Sequence, residues 1–205
     1  MSDPSKSTLL IRLKRSHEKD SFGTGFVYKC DSQHTWIITC AHVLEDMIPN
    51  TAKVNNKFAD INKPGNSSGF DVAVLRANED LNVPSIQLQH PSEHITKVKI
   101  YGYSKIGNKK VFRVLKATVK KRDYFIDETI EGDNRASILR VQLDEDEEEN
   151  LDFGNSGSPI IDESTSRVIG IFQQAKKGGR SGTGISVEAL EKSFPDAFTG
   201  LILPA

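Results

Sequence analysis

The sequence predicts an all-β fold of two six-stranded antiparallel β-barrels with a short C-terminal helix. Three observations carry that expectation. Short β-branched and apolar runs recur at even spacing between Gly, Pro, Asn and Asp; one stretch alone has a convincing helical period; and 205 residues, 37% hydrophobic, can bury two small cores without disulfides or metals.

The elements follow in order. In the first half, strands are expected over residues 8–13, 25–30, 36–40, a segment near 52–61, 72–76 and 86–88. Asp31-Ser32-Gln33-His34 joins the second strand to the third, a Gly/Ser-rich loop precedes the fifth, and Pro84 and Pro91 punctuate a crossing segment. Val43-Leu44-Glu45-Asp46-Met47 reads as one helical turn. The second half repeats the habit over 97–103, 110–122, 137–142, 159–161, 168–174 and 184–187, without an internal sequence repeat. A cut near 91–96 divides the chain into barrels over 1–95 and 96–205. The helix is capped by Ser186, carries Val187, Leu190 and Phe194 on one face with Glu188 in its first turn, and is ended by Pro195. The apolar tail from Leu201 then either packs on a barrel or leads out of it.

A net charge of −1 gives no global reason to expect a nucleic acid or a membrane as partner. Its distribution is uneven: residues 97–122 hold ten Lys/Arg and no acid, and 144–149 is an unbroken acidic run. Solvated strand faces and a surface loop account for both. The polar N-terminus lacks a signal-peptide core, and no stretch approaches the roughly 20 apolar residues of a membrane span. Pairing Cys30 with Thr35 sets Cys40 opposite Gly25, about 16 Å from Cys30, where a disulfide reaches about 7 Å. Two free thiols are expected, in a reducing cytoplasm.

Gly154-Asn155-Ser156-Gly157-Ser158-Pro159 sets a serine between glycines on a tight turn, which is how a chain exposes an oxygen nucleophile. Such a serine needs a histidine base and a carboxylate to orient it. All five histidines (His17, His34, His42, His90 and His94) precede Ser156. That order excludes an α/β-hydrolase elbow, which runs serine, acid, histidine and needs glycine where Ser158 stands. His42 ends the buried run 35–43 beside small Ala41, and Asp71 stands at the mouth of the apolar run 69–75, where it can be buried against a ring nitrogen of His42.

Four separated blocks carry a resemblance: Gly23-Thr24-Gly25-Phe26, Thr39-Cys40-Ala41-His42-Val43, Phe70-Asp71-Val72-Ala73-Val74-Leu75, and the Ser156 turn. A fifth, weaker block is Val168-Ile169-Gly170-Ile171 with Gly182-Thr183-Gly184-Ile185-Ser186. In this order, over nearly the whole chain, they resemble the trypsin-like (chymotrypsin-fold) serine peptidases, especially the Htr/Deg branch. The resemblance implies a serine endopeptidase working through an acyl-enzyme intermediate, without metal or cofactor, on protein or peptide substrates. Ser156 would be the nucleophile, His42 the base and then acid, Asp71 the orienting group, and the N–H groups of Gly154 and Ser156 the oxyanion hole.

Departures from the family pattern carry expectations of their own. Asn155 replaces the aspartate that pairs with a newly cleaved N-terminal ammonium in the digestive members, so activation by such cleavage is not expected. The hole is then either preformed or ordered by substrate, a partner or an appended domain. Gapless alignment on the serine sets Asn150 at the base of the primary pocket, which argues against a strict preference for Lys or Arg. Phe172, Gln173, Gln174 and Ala175 would supply the pocket wall and the edge strand that holds substrate, with Gly184 on the other wall. The acidic run before the pocket is either a solvated loop or an attractor of basic residues. Two other readings compete: a peptide-binding module inactive until a partner orders its hole, and a nucleic-acid surface over 97–122. The resemblance further implies, as an expectation, a protease module of a larger or operon-linked bacterial defence or regulatory system.

Overall fold

The computed structural model describes residues 3–14, 21–45, 47–48, 51–94 and 97–205. The first barrel is built by β1 (Thr8–Leu13), β2 (Ser21–Cys30), β3 (Thr35–Thr39), β4 (Lys53–Val54), β5 (Lys57–Lys63) and β6 (Ala73–Ala77). They close in the order β1-β2-β3-β6-β5-β4, all pairs antiparallel. The two-residue period of β1 shows why: Leu9, Ile11 and Leu13 point inward to Phe26, Ile37 and Leu75, while Arg12 faces out. The Asp31 carboxylate accepts the N–H groups of Gln33 and His34, both at 2.8 Å, and so fixes the β2–β3 turn.

The segment expected near 52–61 is a hairpin of two strands. Asn55 and Asn56 take φ of 49° and 65° between Val54 and Lys57, a two-residue turn that asparagine tolerates. A bulge at Tyr28 moves the β2–β3 register by one residue. Cys40 therefore lies beyond the position opposite Gly25, level with Thr24. Cys30 is exposed and Cys40 buried, and both thiols are free.

The second ring contains β8 (Lys97–Ile106), β9 (Lys109–Ile126), β10 (Arg135–Leu143), β11 (Pro159–Asp162), β12 (Val168–Ala175) and β13 (Ser181–Ser186). It runs β11-β8-β9-β10-β13-β12 and closes through β11–β12. Val98, Ile100, Leu115, Leu139, Ile160 and Phe172 fill it. Two short parallel strands, β7 (Leu88–Gln89) and β14 (Ile202–Leu203), extend this sheet beyond β12, so the C-terminal tail packs on the second ring.

The described residues also form four short helices: α1 (Pro4–Ser7), α2 (Ala41–Leu44), α3 (Glu188–Ser193) and α4 (Pro195–Phe198). The helix expected after Ser186 begins one residue later. Ser186 stays in β13 and its hydroxyl donates to Glu188, while Val187 occupies the cap. Pro195 opens α4 rather than ending the helical region, because its missing N–H and fixed φ suit a first helical position. No helix among the described residues is long and apolar enough to cross a membrane.

Candidate active site

Ser156 stands on the turn between β10 and β11, and the chain around it is fastened to both rings. Thr24 on β2 donates its N–H to the Ser156 carbonyl at 2.9 Å and its hydroxyl to the Gly154 carbonyl at 2.7 Å. Gly157 N–H reaches the Phe172 carbonyl at 2.8 Å. Gly154 has φ of +101°, and a Cβ there would lie 2.1 Å from the Phe22 ring and 2.7 Å from the Tyr103 carbonyl. Only glycine fits that position. Among the described residues, the N–H groups of Gly154 and Ser156 have no protein acceptor. The Ser156 hydroxyl donates to the Gln173 carbonyl at 2.8 Å.

Asn155 holds the turn from inside. It is 1% exposed, and its Oδ1 accepts the Asp152 N–H at 2.7 Å. Its Nδ2 donates to the Ser104 hydroxyl at 3.2 Å and toward the Tyr103 carbonyl at 3.4 Å, both on β8. A neutral amide thus finds every partner within the second ring, where an aspartate would need a cation.

His42 lies in the first turn of α2. Asp71 grips it twice: Oδ1 accepts the His42 backbone N–H at 2.8 Å, and Oδ2 stands 2.7 Å from Nδ1. A carboxylate can only accept from the neutral ring, so the proton sits on Nδ1 and Nε2 carries the lone pair. Asp71 is buried and adopts φ of +57°, a region that aspartate enters more readily than most side chains.

Cys40 lies behind this pair, its ligand atom within 4.8 Å of those of His42 and Asp71. The three residue types could serve a metal. Burial first, and then the Asp71 charge, push the Cys40 thiol well above its ordinary pKa, so it remains protonated; it sits 3.3 Å from the Phe172 carbonyl. It is buried in the core of the first barrel.

His42, Asp71 and Ser156 open onto one cavity of about 580 Å³, with Gln173, Gln174 and Ala175 on its wall. Asn150, Phe172 and Gly184 are not on its lining, though each neighbours residues that are. Asn150 lines an adjoining depression with Gly178 and Gly179, which shares Asp152, Phe153 and Ala175 with the cavity wall. The Phe172 ring is in the second core, and only its backbone serves the site. Gly184 is buried between Ile160 and the Ile171 backbone. Sequence reasoning missed Ile138, Asp152, Phe153 and Ile185 on the cavity wall, and the anchoring role of Thr24.

The acidic run turns toward the protein's own basic strands. Lys97 pairs with Asp144 at 2.8 Å, Lys116 with Asp146 at 3.6 Å, and Arg113 with Glu149. Arg180 donates to the carbonyls of Asp144, Glu147 and Glu149 and pins the loop.

The family model of the trypsin-like peptidase domain matches residues 23–171, more than half of the chain. The chain belongs to that family. As a trypsin-like peptidase it is a serine endopeptidase, with HtrA-type proteases among its structural neighbours. The active form of the Rv3671c protease from M. tuberculosis aligns with a TM-score of 0.71 at 23% identity, covering 98% of this chain and 84% of its own. The serine endoprotease from Yersinia pestis gives 0.65 at 18% identity, covering 95% and 65%. The HtrA-type protease AlgW with a tripeptide gives 0.65 at 18%, covering 96% and 61%. This trypsin-like peptidase therefore spans less than two thirds of the last two chains. No curated protein sequence matches it. These likenesses carry the chymotrypsin-like fold, and the geometry above is the chain's own.

Proposed function

We propose that this peptidase cleaves peptide bonds through Ser156, His42 and Asp71. One observation carries the reading: a histidine held doubly by a buried aspartate shares a cavity with a serine whose turn leaves two N–H groups without acceptors. Nε2 of His42 takes the hydroxyl proton as Ser156 Oγ attacks the substrate carbonyl carbon. Asp71 stabilises the imidazolium so formed. The N–H groups of Gly154 and Ser156 receive the developing oxyanion; one such donor is worth on the order of 10²–10³ in rate. His42 then returns the proton to the leaving amine, and water hydrolyses the acyl-enzyme by the same steps.

Substrate would lie as an added strand along Gln173 to Ala175. Ile138, Ile185 and Thr183 give the adjoining cavity a wall suited to a medium-sized apolar side chain. The internal anchoring of Asn155 supports a hole formed without a new N-terminus, and favours turnover over a binding module awaiting a partner. Free Cys30 and Cys40 fit a reducing compartment. A role as a module of a larger bacterial system rests on the family likeness.

Ser156→Ala is expected to lower kcat on the order of 10⁶-fold with folding intact, and a fluorophosphonate to label Ser156 in the native protein. Turnover surviving in S156A, or a folded native protein that the probe leaves unlabelled, would sink the proposal.

A further inference from the structure

Phe70 and Asp71 belong to the first barrel, yet Phe70 is held on three sides by the second ring. Its N–H donates to Oδ2 of Asp127 at 3.0 Å, its carbonyl accepts Nε2–H of Gln173 at 2.8 Å, and its ring meets Phe125 edge-on at 6.0 Å. Asp127 follows β9 and is itself fixed. Oδ1 accepts the N–H and hydroxyl of Thr129 at 3.0 and 2.6 Å, and its own N–H donates to the Asn134 carbonyl at 2.9 Å. Thr129 in turn receives Nδ2–H of Asn66, whose carbonyl accepts the Asp71 N–H at 3.0 Å. Gly69 makes room for this grip: a Cβ there would lie 2.0 Å from Oδ2 of Asp127.

We propose that Asp127 is a positioning residue for catalysis: its carboxylate, presented by the second ring, sets the Phe70 backbone and so aims Asp71 at His42. Phe70 is 1% exposed, so its N–H has no water to turn to if Asp127 is lost. Asp71 follows directly in a left-handed conformation that persists only while its neighbours over-determine it. Burial raises the Asp127 pKa, but the bonds from Thr129 and Phe70 outweigh it and leave the carboxyl below its ordinary value. The inference rests on the triad assigned above. It makes docking of the two barrels a condition of catalysis.

The test compares Asp127→Ala, Asp127→Asn and Gly69→Ala in the full chain, with Asp71→Asn as control, on a peptide substrate and normalised by fluorophosphonate titration. Asp127→Ala is expected to lower kcat per titrated site about 10–100-fold with KM changed less than about two-fold, the scale of a small misplacement of a catalytic group. Asp127→Asn can keep an acceptor for the Phe70 N–H only by turning its amide nitrogen toward the Thr129 N–H, and recovers part of the rate. The acid limb of kcat/KM should move to lower pH in D127A, because a carboxylate held less squarely stabilises the protonated ring less. Asp71 and Cys40 are titratable groups gathered at that ring. A merely structural loss would reduce the titrated fraction and leave the limb in place. Gly69→Ala should imitate D127A, and the double variant should be no worse than either. Should D127A not fold, Gly69→Ala carries the test with the same readouts. An unmoved limb with kcat within about two-fold of native overturns the inference, while full activity in D71N overturns the triad itself.

Discussion

Replacing Asn155 by aspartate turns one buried amide nitrogen into an oxygen. That nitrogen serves the Tyr103 carbonyl and the Ser104 hydroxyl, and no side-chain cation is among the Asn155 partners. Ser104 can rotate to donate instead, but the Tyr103 carbonyl then faces a second acceptor. A buried carbonyl left unsatisfied costs about 1–3 kcal/mol. Burial without a cation also raises the pKa of the introduced carboxyl, and a rise of about two units adds about 2.7 kcal/mol once it ionises. The sum, about 4–6 kcal/mol, lowers Tm by about 8–24 °C in a chain of this length. The ionisation part has a defined sign. The folded variant binds its proton more tightly than the unfolded chain, so this part is absent below about pH 4, grows toward the raised folded pKa, and is constant above it. The flanking N–H groups of Gly154 and Ser156 shift with the side chain, and kcat at pH 8 is expected to fall about 10²-fold. Thermal unfolding at several pH values beside peptide hydrolysis measures both. A Tm within about 2 °C of native at pH 8 with unchanged kcat would refute the claim that this amide holds the turn.

Two further outcomes follow from the same geometry. Thr24→Val keeps the shape of a fully buried side chain but strands the Gly154 carbonyl and the Tyr103 N–H; about 2–4 kcal/mol of stability should be lost in urea unfolding, with kcat down about ten-fold. Iodoacetamide at pH 8 should alkylate Cys30 alone, since Cys40 is buried with its pKa raised, and mass spectrometry should find both modified only after unfolding.

Local signals were legible in the sequence and contacts between distant segments were not. β1, with Leu9, Ile11 and Leu13 alternating, falls on its expected residues, because the period-two pattern and the barrel agree. β7 and β14 have two residues each and no period to read, so their pairing emerges only in three dimensions. His42, Asp71 and Ser156 could be nominated because each lies in a short motif. Gapless counting to Asn150 could not anticipate that Leu151 N–H bonds the Gly179 carbonyl, with Gly179 packed against the Asn150 side chain. Nor does strand alternation foresee the bulge between Phe172 and Gln174, which leaves Gln173 unpaired and turned to the cleft. Asp127 lies 57 residues from Phe70; Asp127-Glu128-Thr129 reads as an ordinary Asx turn, and its partner is set by the docking of two barrels.

The left-handed backbone at Asp71 also shapes how this sequence can drift. Glycine, asparagine and aspartate enter that region at least strain, and of the three only aspartate is charged. Codons for the other two lie a single nucleotide change away. With Asp71 orienting His42 as proposed, a single nucleotide change at this position is enough to leave the backbone turn intact while the histidine loses its carboxylate.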